Sequence, residues 1–567
     1  ALVDAHNGQK ILEAAAAPWN AGAVDPSSGD KAWWFDFSSV TTPGDYFVLD
    51  ETRAVRSDVF SVSDSVYRDV LVQAVRMLFY QRDGFAKTAQ FAGAGWADSA
   101  AHMGAIQDPH ARLYSSPNDA TTEKDVHGGW FDAGDQNKYT SWGASDVIEL
   151  LRAYTEVPSA FGDDYNIPES GNGVPDLIDE VKWELDWLLR MQNTDGSVMC
   201  VVGEDSASPP SSATKQSLYG PATTGASLSS AAAFANASIV FGTLGTQYSA
   251  YAAQLKTAAL SAWTWAQQNP AITFYNSDHN LAAGDQELVE KTGPKYNLPM
   301  RKLEAAVFLF ELTSDPTYRD FFDANYTQAH LFTQNNWVDP FSVDVQDTLL
   351  EYTLAKGATA AVVQNIKSAY KAGMASTNNF GSLRNNTDPY LAYLHDYVWG
   401  SNATKGGQGN VFYDVITFGI DASANADAAR AAERYIHYVH GVNPLQLVYL
   451  SNMGSFGATR SITRFFHSWF KHGSALWDTV GMSTYGPPPG YLVGGANPGY
   501  SWDGCCPSNC SGVSCGGSAP PSPPAGQPQQ KSYKDMNDDW PLDSWSISEP
   551  DDGYQAAYIR LLSKFVK

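Results

Sequence analysis

Asp132 and Asp135, in GGWFDAGD at 128 to 135, and Glu549, in SWSISEP at 544 to 550, are the residues of this chain best suited to do chemistry. The two aspartates stand three apart in a Gly-flanked turn, where backbone can approach a ligand closely. Glu549 sits between Trp545 and Tyr554, just ahead of the last helical stretch. A carboxylic acid that protonates a leaving oxygen and a carboxylate that activates water make a set able to cut a glycosidic bond. Aromatic rings beside them suit the apolar faces of sugars. An Asp pair at this spacing is by itself a weak signal, since most such pairs are solvated surface, caps or calcium ligands. Ser548 and Glu549 would also serve well as the first residues of the helix that follows.

The elements that must position these groups change character near residue 60. Before it, KAWWFDFSSVTTPGDYFVL alternates polar and apolar residues between Gly, Pro and Ser turns, the pattern of half-buried strands. After it the period is helical. Ser63 or Ser65 can cap a helix in which Tyr67, Val70, Leu71, Ala74, Val75, Leu78 and Phe79 recur at three and four residue steps, ending at Gly84. Similar stripes predict helices at about 144 to 156, 175 to 192, 225 to 242, 247 to 268, 299 to 313, 344 to 356, 359 to 375, 424 to 440 and 554 to 566. Strand signals between them are sparse and the connections long, so the loops of a helical array should carry the chemistry. Periodicity leaves a closed barrel and a solenoid equally open.

Composition narrows the partners. A chain of 567 residues exceeds what one core usually organises, which favours two domains. The formal charge of -25 argues against nucleic acid or an anionic membrane surface, both of which need clustered Lys and Arg. A neutral polysaccharide is indifferent to that charge. No apolar run approaches the roughly 18 to 20 residues that span a bilayer. The chain begins at Ala1 without a charged and apolar leader, consistent with a secreted protein whose signal peptide has been removed, or with a trimmed form.

GGWFDAGD, followed by Lys138 and Tyr139, resembles the catalytic-base motif of glycoside hydrolase family 9, the cellulases with an (α/α)6 barrel. Further segments match in order: IPESGNGVPDLIDEVKWELDWLLRMQ at 167 to 192, YVWGSN at 397 to 402, GVNPLQLVYLSNM at 441 to 453 and GYLVGGANP at 490 to 498. The resemblance implies an inverting endo-β-1,4-glucanase built as an (α/α)6 barrel over residues 60 to 567, with an exo-acting relative or an inactive carbohydrate-binding scaffold as alternatives. It implies Asp135 as general base, Asp132 as its partner in holding water and Glu549 as general acid. Trp399, of the WGS segment, and Tyr554 match aromatic positions that line the family's cleft. His467, in TRFFHSWF, stands where many members have a His-His-Arg signature, and is expected to hydrogen bond a sugar hydroxyl, with Trp469 or Arg464 as substitutes for the missing residues. His127, beside the base motif, reads as a surface or supporting histidine. Residues 1 to 59 are similar to the later part of the immunoglobulin-like module that precedes one branch of the family, although such a sandwich takes roughly 100 residues and seven strands.

Cys505, Cys506, Cys510 and Cys515 crowd into CCPSNCSGVSC and favour two disulfides of undetermined connectivity over a thiolate zinc site, leaving Cys200 as a buried thiol. The Cys and Pro-rich stretch at about 504 to 531 must then be a surface excursion, because Glu549 lies beyond it. No motif for a catalytic cofactor is present. GDDYNIPESGNG is an acidic loop that could hold a structural calcium, though without EF-hand spacing. A β-glucan is therefore the expected partner of a secreted, monomeric enzyme.

Overall fold

The computed structural model describes residues 1–282, 284, 294–501, 520–538 and 542–567. Twelve helices of ten or more residues follow one another among them: α1 (Arg68–Gln81), α2 (Thr140–Glu156), α3 (Asp176–Met191), α4 (Thr224–Phe241), α5 (Ser249–Gln268), α6 (Pro294–Thr313), α7 (Pro316–Asn325), α8 (Val343–Tyr352), α9 (Ala360–Met374), α10 (Ser401–Thr417), α11 (Asn425–Val439) and α12 (Asp552–Ser563). They alternate between two rings. The even-numbered helices form the inner ring, α2 packing on α4, α4 on α6, α6 on α8, and α12 closing the circle against α10 and α2. The odd-numbered helices lie outside, which is the (α/α)6 barrel.

Composition explains which ring each helix joins. In α4, TGASLSSAAAFANASIVF, every residue but Ile239 is buried, and small Ala, Ser and Gly side chains let neighbours approach from all sides. In α11 the buried residues Ala428, Ala431, Ala432, Tyr435, Ile436 and Val439 recur at helical steps on one side, while Asp427 and Arg430 face solvent. The barrel axis holds charge as well as apolar surface. Arg560 of α12 is fully buried and donates to Glu149 (3.2 Å) and Glu156 (2.8 Å) of α2, to Asp414 of α10 (2.9 Å) and to Asp347 of α8. Asp347 and Asp414 are compensated by that guanidinium, while Glu156 also pairs with Lys564 and Glu149 with Arg152 (3.6 Å).

The amino-terminal strands form a five-stranded antiparallel sheet from Leu2–Asp4, Lys10–Leu12, Gly44–Asp50, Val55–Arg56 and Phe60–Val62. The sheet thus reaches past residue 59. Neither Ser63 nor Ser65 caps α1, whose N-cap is Tyr67 without a side-chain bond. The sheet domain is bonded to the barrel: Trp19 and Trp34 donate their indole N–H groups to the carbonyls of Asn386 and Pro389, each at 2.8 Å. Asp30 accepts from Tyr390 (2.8 Å) and Lys531 (2.6 Å), and the Gln530 amide donates to the Ser27 carbonyl (2.9 Å). The carboxyl-terminal part of the Pro-rich excursion is therefore packed between the sheet and the barrel, with Gln530 buried. Cys505, Cys506, Cys510 and Cys515 lie outside the described residues, and Cys200 is fully buried. No helix among the described residues is long and apolar enough to cross a membrane.

Candidate active site

Three loops that lead into inner helices bring the predicted residues to one end of the barrel. Asp132 and Asp135 precede α2, Trp399 and Gly400 precede α10, and Glu549 precedes α12. Backbone bonds lock the first loop to the third: the Asp552 amide donates to the Asp132 carbonyl (3.0 Å), and Gly134 donates its N–H to Glu549 Oε1 at 3.1 Å. Gly134 has to be glycine, since a Cβ there would stand 2.8 Å from Glu549 Oε1 and 2.8 Å from the Phe466 carbonyl. Gly128 and Gly129 adopt φ of 91° and 80°, which makes the turn ahead of Asp132 possible. That pair supplies no donors to the aspartates. Its carbonyls instead accept from Lys138 Nζ (2.9 Å, Gly128) and Trp183 Nε1 (3.0 Å, Gly129).

The two carboxyl groups have opposite surroundings. Asp135 Oδ2 accepts from Asn137 Nδ2 (2.8 Å) and from the Tyr139 hydroxyl (3.0 Å), and Oδ1 accepts from the Asn137 amide (3.2 Å). Burial raises its pKa, and these three donors pull it back toward the ionised form. Glu549 has the single Gly134 donor, and burial, then the charges of Asp135 and Asp551, push its pKa well above the ordinary carboxylate range. Asp132 is likewise raised, by burial first and then by Asp551 and Asp135. Both groups are raised by burial, but the three donors on Asp135 favour its ionised form and the negative neighbours of Glu549 favour its protonated form, so the two environments pull the pair apart.

The helix-cap reading of Glu549 does not hold, because Asp551 is the N-cap of α12 and accepts from the Tyr554 amide at 3.0 Å. Asp551 went unnoticed in the sequence; an Asp three residues ahead of the first aromatic of the last helix was the available signal. Around the acid, Trp545 meets Phe466 edge to face at 5.4 Å, and both are half-buried. Tyr554 packs its hydroxyl against Gly400, where a Cβ would stand 2.8 Å away. Trp399, next to it, is 50% exposed, free to present its ring.

His467 is where the structure corrects the sequence reading. It is fully buried, so it cannot meet a sugar hydroxyl. Its Nδ1 accepts from the Trp469 amide (3.1 Å), which leaves Nε2–H to donate to Gln81 Oε1 (3.2 Å), and burial pushes its pKa down to about 3. Gln81 in turn donates to the carbonyls of Phe131 (3.1 Å) and Ala133 (3.0 Å). The neutral imidazole supports the base-bearing turn from beneath. Trp469 is also fully buried, and Arg464 turns toward Asp535 and Asp538. His127 pairs with Asp125 at 2.5 Å as a supporting residue.

Residues 67–562 match glycosyl hydrolase family 9. The chain belongs to that family. It is 26% identical over 525 residues to Endoglucanase C of Cellulomonas fimi, covering 86% of this chain and 45% of that protein, so it spans about half the length of that relative. It is 26% identical over 474 residues to a cellodextrinase of Butyrivibrio fibrisolvens, covering 79% of each. Among solved structures, a metagenome-derived glycoside hydrolase family 9 endoglucanase superposes with a TM-score of 0.78 at 25% identity, covering 100% of this chain and 92% of that one.

Two places in this family 9 chain gather side chains of the kind that hold metal ions. Asp83, His102 and Glu204 put ligand atoms within 4.8 Å of one another behind the base motif. Lys138 Nζ already stands among them, donating to Asp83 (2.8 Å), to Asp108 and to the Val126 and Gly128 carbonyls (3.2 and 2.9 Å). Burial opposes charge on His102, but Glu204 and Asp83 override it and push its pKa up to about 9. Lys138 thus shares the charge of a cluster whose three side chains could each offer a metal ion one ligand atom. In GDDYNIPESGNG, Asp163 spends its oxygens on the Gly171 and Gly173 amides (2.6 and 2.7 Å) and Asp164 pairs with Arg68 (2.8 Å). Those side chains are occupied in holding their own loop.

Proposed function

We propose that the chain is an endo-β-1,4-glucanase that hydrolyses internal bonds of cellulose and soluble β-glucans with inversion at the anomeric carbon. The observation that carries this is the asymmetry of the pair: three donors on Asp135 and one on Glu549, with burial and neighbouring negative charge holding the proton on the latter. Glu549 gives its proton to the leaving glycosidic oxygen. Asp135 removes a proton from water on the opposite face of the sugar, and Asp132 helps hold that water. An inverting pair requires a carboxyl separation of about 6.5 to 9.5 Å, room for the water between sugar and base. Trp399 and Tyr554 offer rings to the sugars on either side of the bond cut.

The similarity to an endoglucanase and to a cellodextrinase supports a β-1,4-glucan substrate. The catalytic unit in this reading is the barrel from residue 60 onward, and the sheet domain ahead of it is the later part of an immunoglobulin-like module that leans on the barrel through Trp19 and Trp34. The enzyme acts outside the cell as a monomer without a catalytic cofactor. Viscosity loss measured against reducing-end release on carboxymethyl cellulose tests the mode of attack. Rapid viscosity loss per bond broken supports internal cleavage; slow loss with steady release of short sugars assigns the chain to an exo-acting relative instead.

A further inference from the structure

Asp551 is a carboxylate of the site to which acid and base catalysis, as read above, assigns no step. Its place follows from the local chain. Glu549 precedes a proline, which restricts it to extended backbone, and it adopts φ -65° and ψ 131°. Asp551 is extended as well, at φ -151° and ψ 145°, before α12 begins. Pro550 between them is tied by a bridge to Val493. In extended chain, residues two apart point to the same face with Cα atoms about 6.6 Å apart. The sequence Glu-Pro-Asp therefore fixes a second carboxylate beside the acid, on a backbone with little freedom to move it away.

Apart from Tyr554, the titratable groups that face this second carboxylate are acidic. The point where a Cβ on Gly553 would stand is 3.0 Å from Asp551 Oδ1 and 3.1 Å from Asp146 Oδ1, so α2 contributes its own aspartate to the same corner. Asp132 and Asp135 face Asp551 from the base turn, and Asp552 follows it on α12. Glu549 is faced by Asp135, Asp551 and Asp543. None of these facing groups is a lysine or an arginine. What stabilises negative charge on Asp551 is the start of the helix, through the amides of Tyr554 and Gly553.

We propose that Asp551 is an electrostatic positioning residue for the acid, its carboxylate beside Glu549 disfavouring loss of the proton that Glu549 must donate. The inference rests on the assignment of Glu549 as general acid. Burial and the nearby Asp135 push the Asp551 pKa up to about 6, against the pull of the two helix amides. Asp551 thus becomes negative as pH rises through about 6 and carries its charge at neutral and alkaline pH, where Glu549 most needs help to stay protonated. The effect extends the working range of the enzyme toward alkaline pH, and the helix cap and the charge are two uses of one side chain.

The test separates those uses. Asn and Ser also cap helices well, so Asp551→Asn and Asp551→Ser keep the cap for Tyr554 and remove only the charge. The pH profile of kcat/KM on a soluble β-glucan is measured for both, beside Asp551→Glu, which keeps a charge, and Glu549→Gln. The alkaline limb is expected to move down by about one pH unit in the Asn and Ser variants, the usual size of a like-charge effect at this range, with the plateau within about twofold of the parent. An alkaline limb that stays in place in both variants, or a fallen plateau with an unmoved limb, would show that Asp551 is a helix cap and nothing more. Activity surviving in Glu549→Gln would overturn the acid assignment itself, a different failure.

Discussion

Replacing Tyr139 by Phe removes one donor from the base, together with the acceptor of the Gly284 amide (2.7 Å), and keeps the ring in place. Tyr139 is 2% exposed; its hydroxyl donates to Asp135 Oδ2 at 3.0 Å and its ring meets Trp142 at 4.6 Å between centroids. Phenylalanine keeps the ring contact. The lost bond goes to an ionised carboxylate, worth about 1.5 to 3 kcal/mol, and each pKa unit corresponds to about 1.4 kcal/mol. The donor favours the ionised form, so its loss raises the Asp135 pKa, by about one to two units. Asp135 must be ionised to accept a proton from water, and the acid limb of kcat/KM therefore moves to higher pH by that amount. The alkaline limb, set by Glu549, moves little. Profiles of the parent and Tyr139→Phe on a soluble β-glucan, with thermal unfolding to confirm that both are folded, make the comparison. An acid limb that does not move, or a shift confined to the alkaline side, would refute the assignment of Asp135 as base.

Two other substitutions probe the frame and the rim of the site. Arg560→Met leaves Glu149, Glu156, Asp347 and Asp414 without their shared cation at the barrel axis, and should cost about 3 to 5 kcal/mol, read as a large drop in the unfolding midpoint. A midpoint close to the parent's would mean that the axis tolerates those carboxylates by another route. Trp399→Ala removes a half-exposed ring that the proposal places against sugar. It should raise KM about two- to tenfold, the worth of one aromatic contact, with kcat nearly unchanged; an unaltered KM removes Trp399 from the binding surface.

Much of this site could be read from the sequence because its chemistry is local: Asp132, Asp135, Asn137 and Tyr139 lie within eight residues, and the Gly-flanked turn that aims them is written beside them. What could not be read depends on partners distant in the chain. His467 carries no mark of burial in TRFFHSWF, and only its bonds to Gln81 and the Trp469 amide show that it supports the base turn from below. Helix α10 escaped notice because SNATKGGQGNVFYDVIT carries three glycines, which ordinarily disfavour helix. Their use is tertiary: Gly406 and Gly409 lie against Ala557 and Leu561, so α10 and α12 can approach closely in the inner ring. Helix α7 lacks an extended apolar stripe, although Asp315 and Pro316 are a helix start, with Asp315 accepting from the Thr317 amide. Apart from α7, the outer helices are legible because one apolar stripe suffices to place them. Closure of the ring was not, since it rests on contacts such as Arg560 with Asp347, more than two hundred residues apart.

The division of labour between Glu549 and Asp135 is tested most directly with two substrates that differ only in need of an acid. A β-glucoside with a dinitrophenolate leaving group departs without protonation, whereas a β-1,4-linked glucan does not. Glu549→Gln is predicted to lose about a hundredfold or more on the glucan while keeping most of its rate on the aryl substrate, and Asp135→Asn is predicted to lose both. Equal losses on both substrates in Glu549→Gln, or an Asp135→Asn variant that still cleaves the aryl substrate at the parent's rate, would contradict the account.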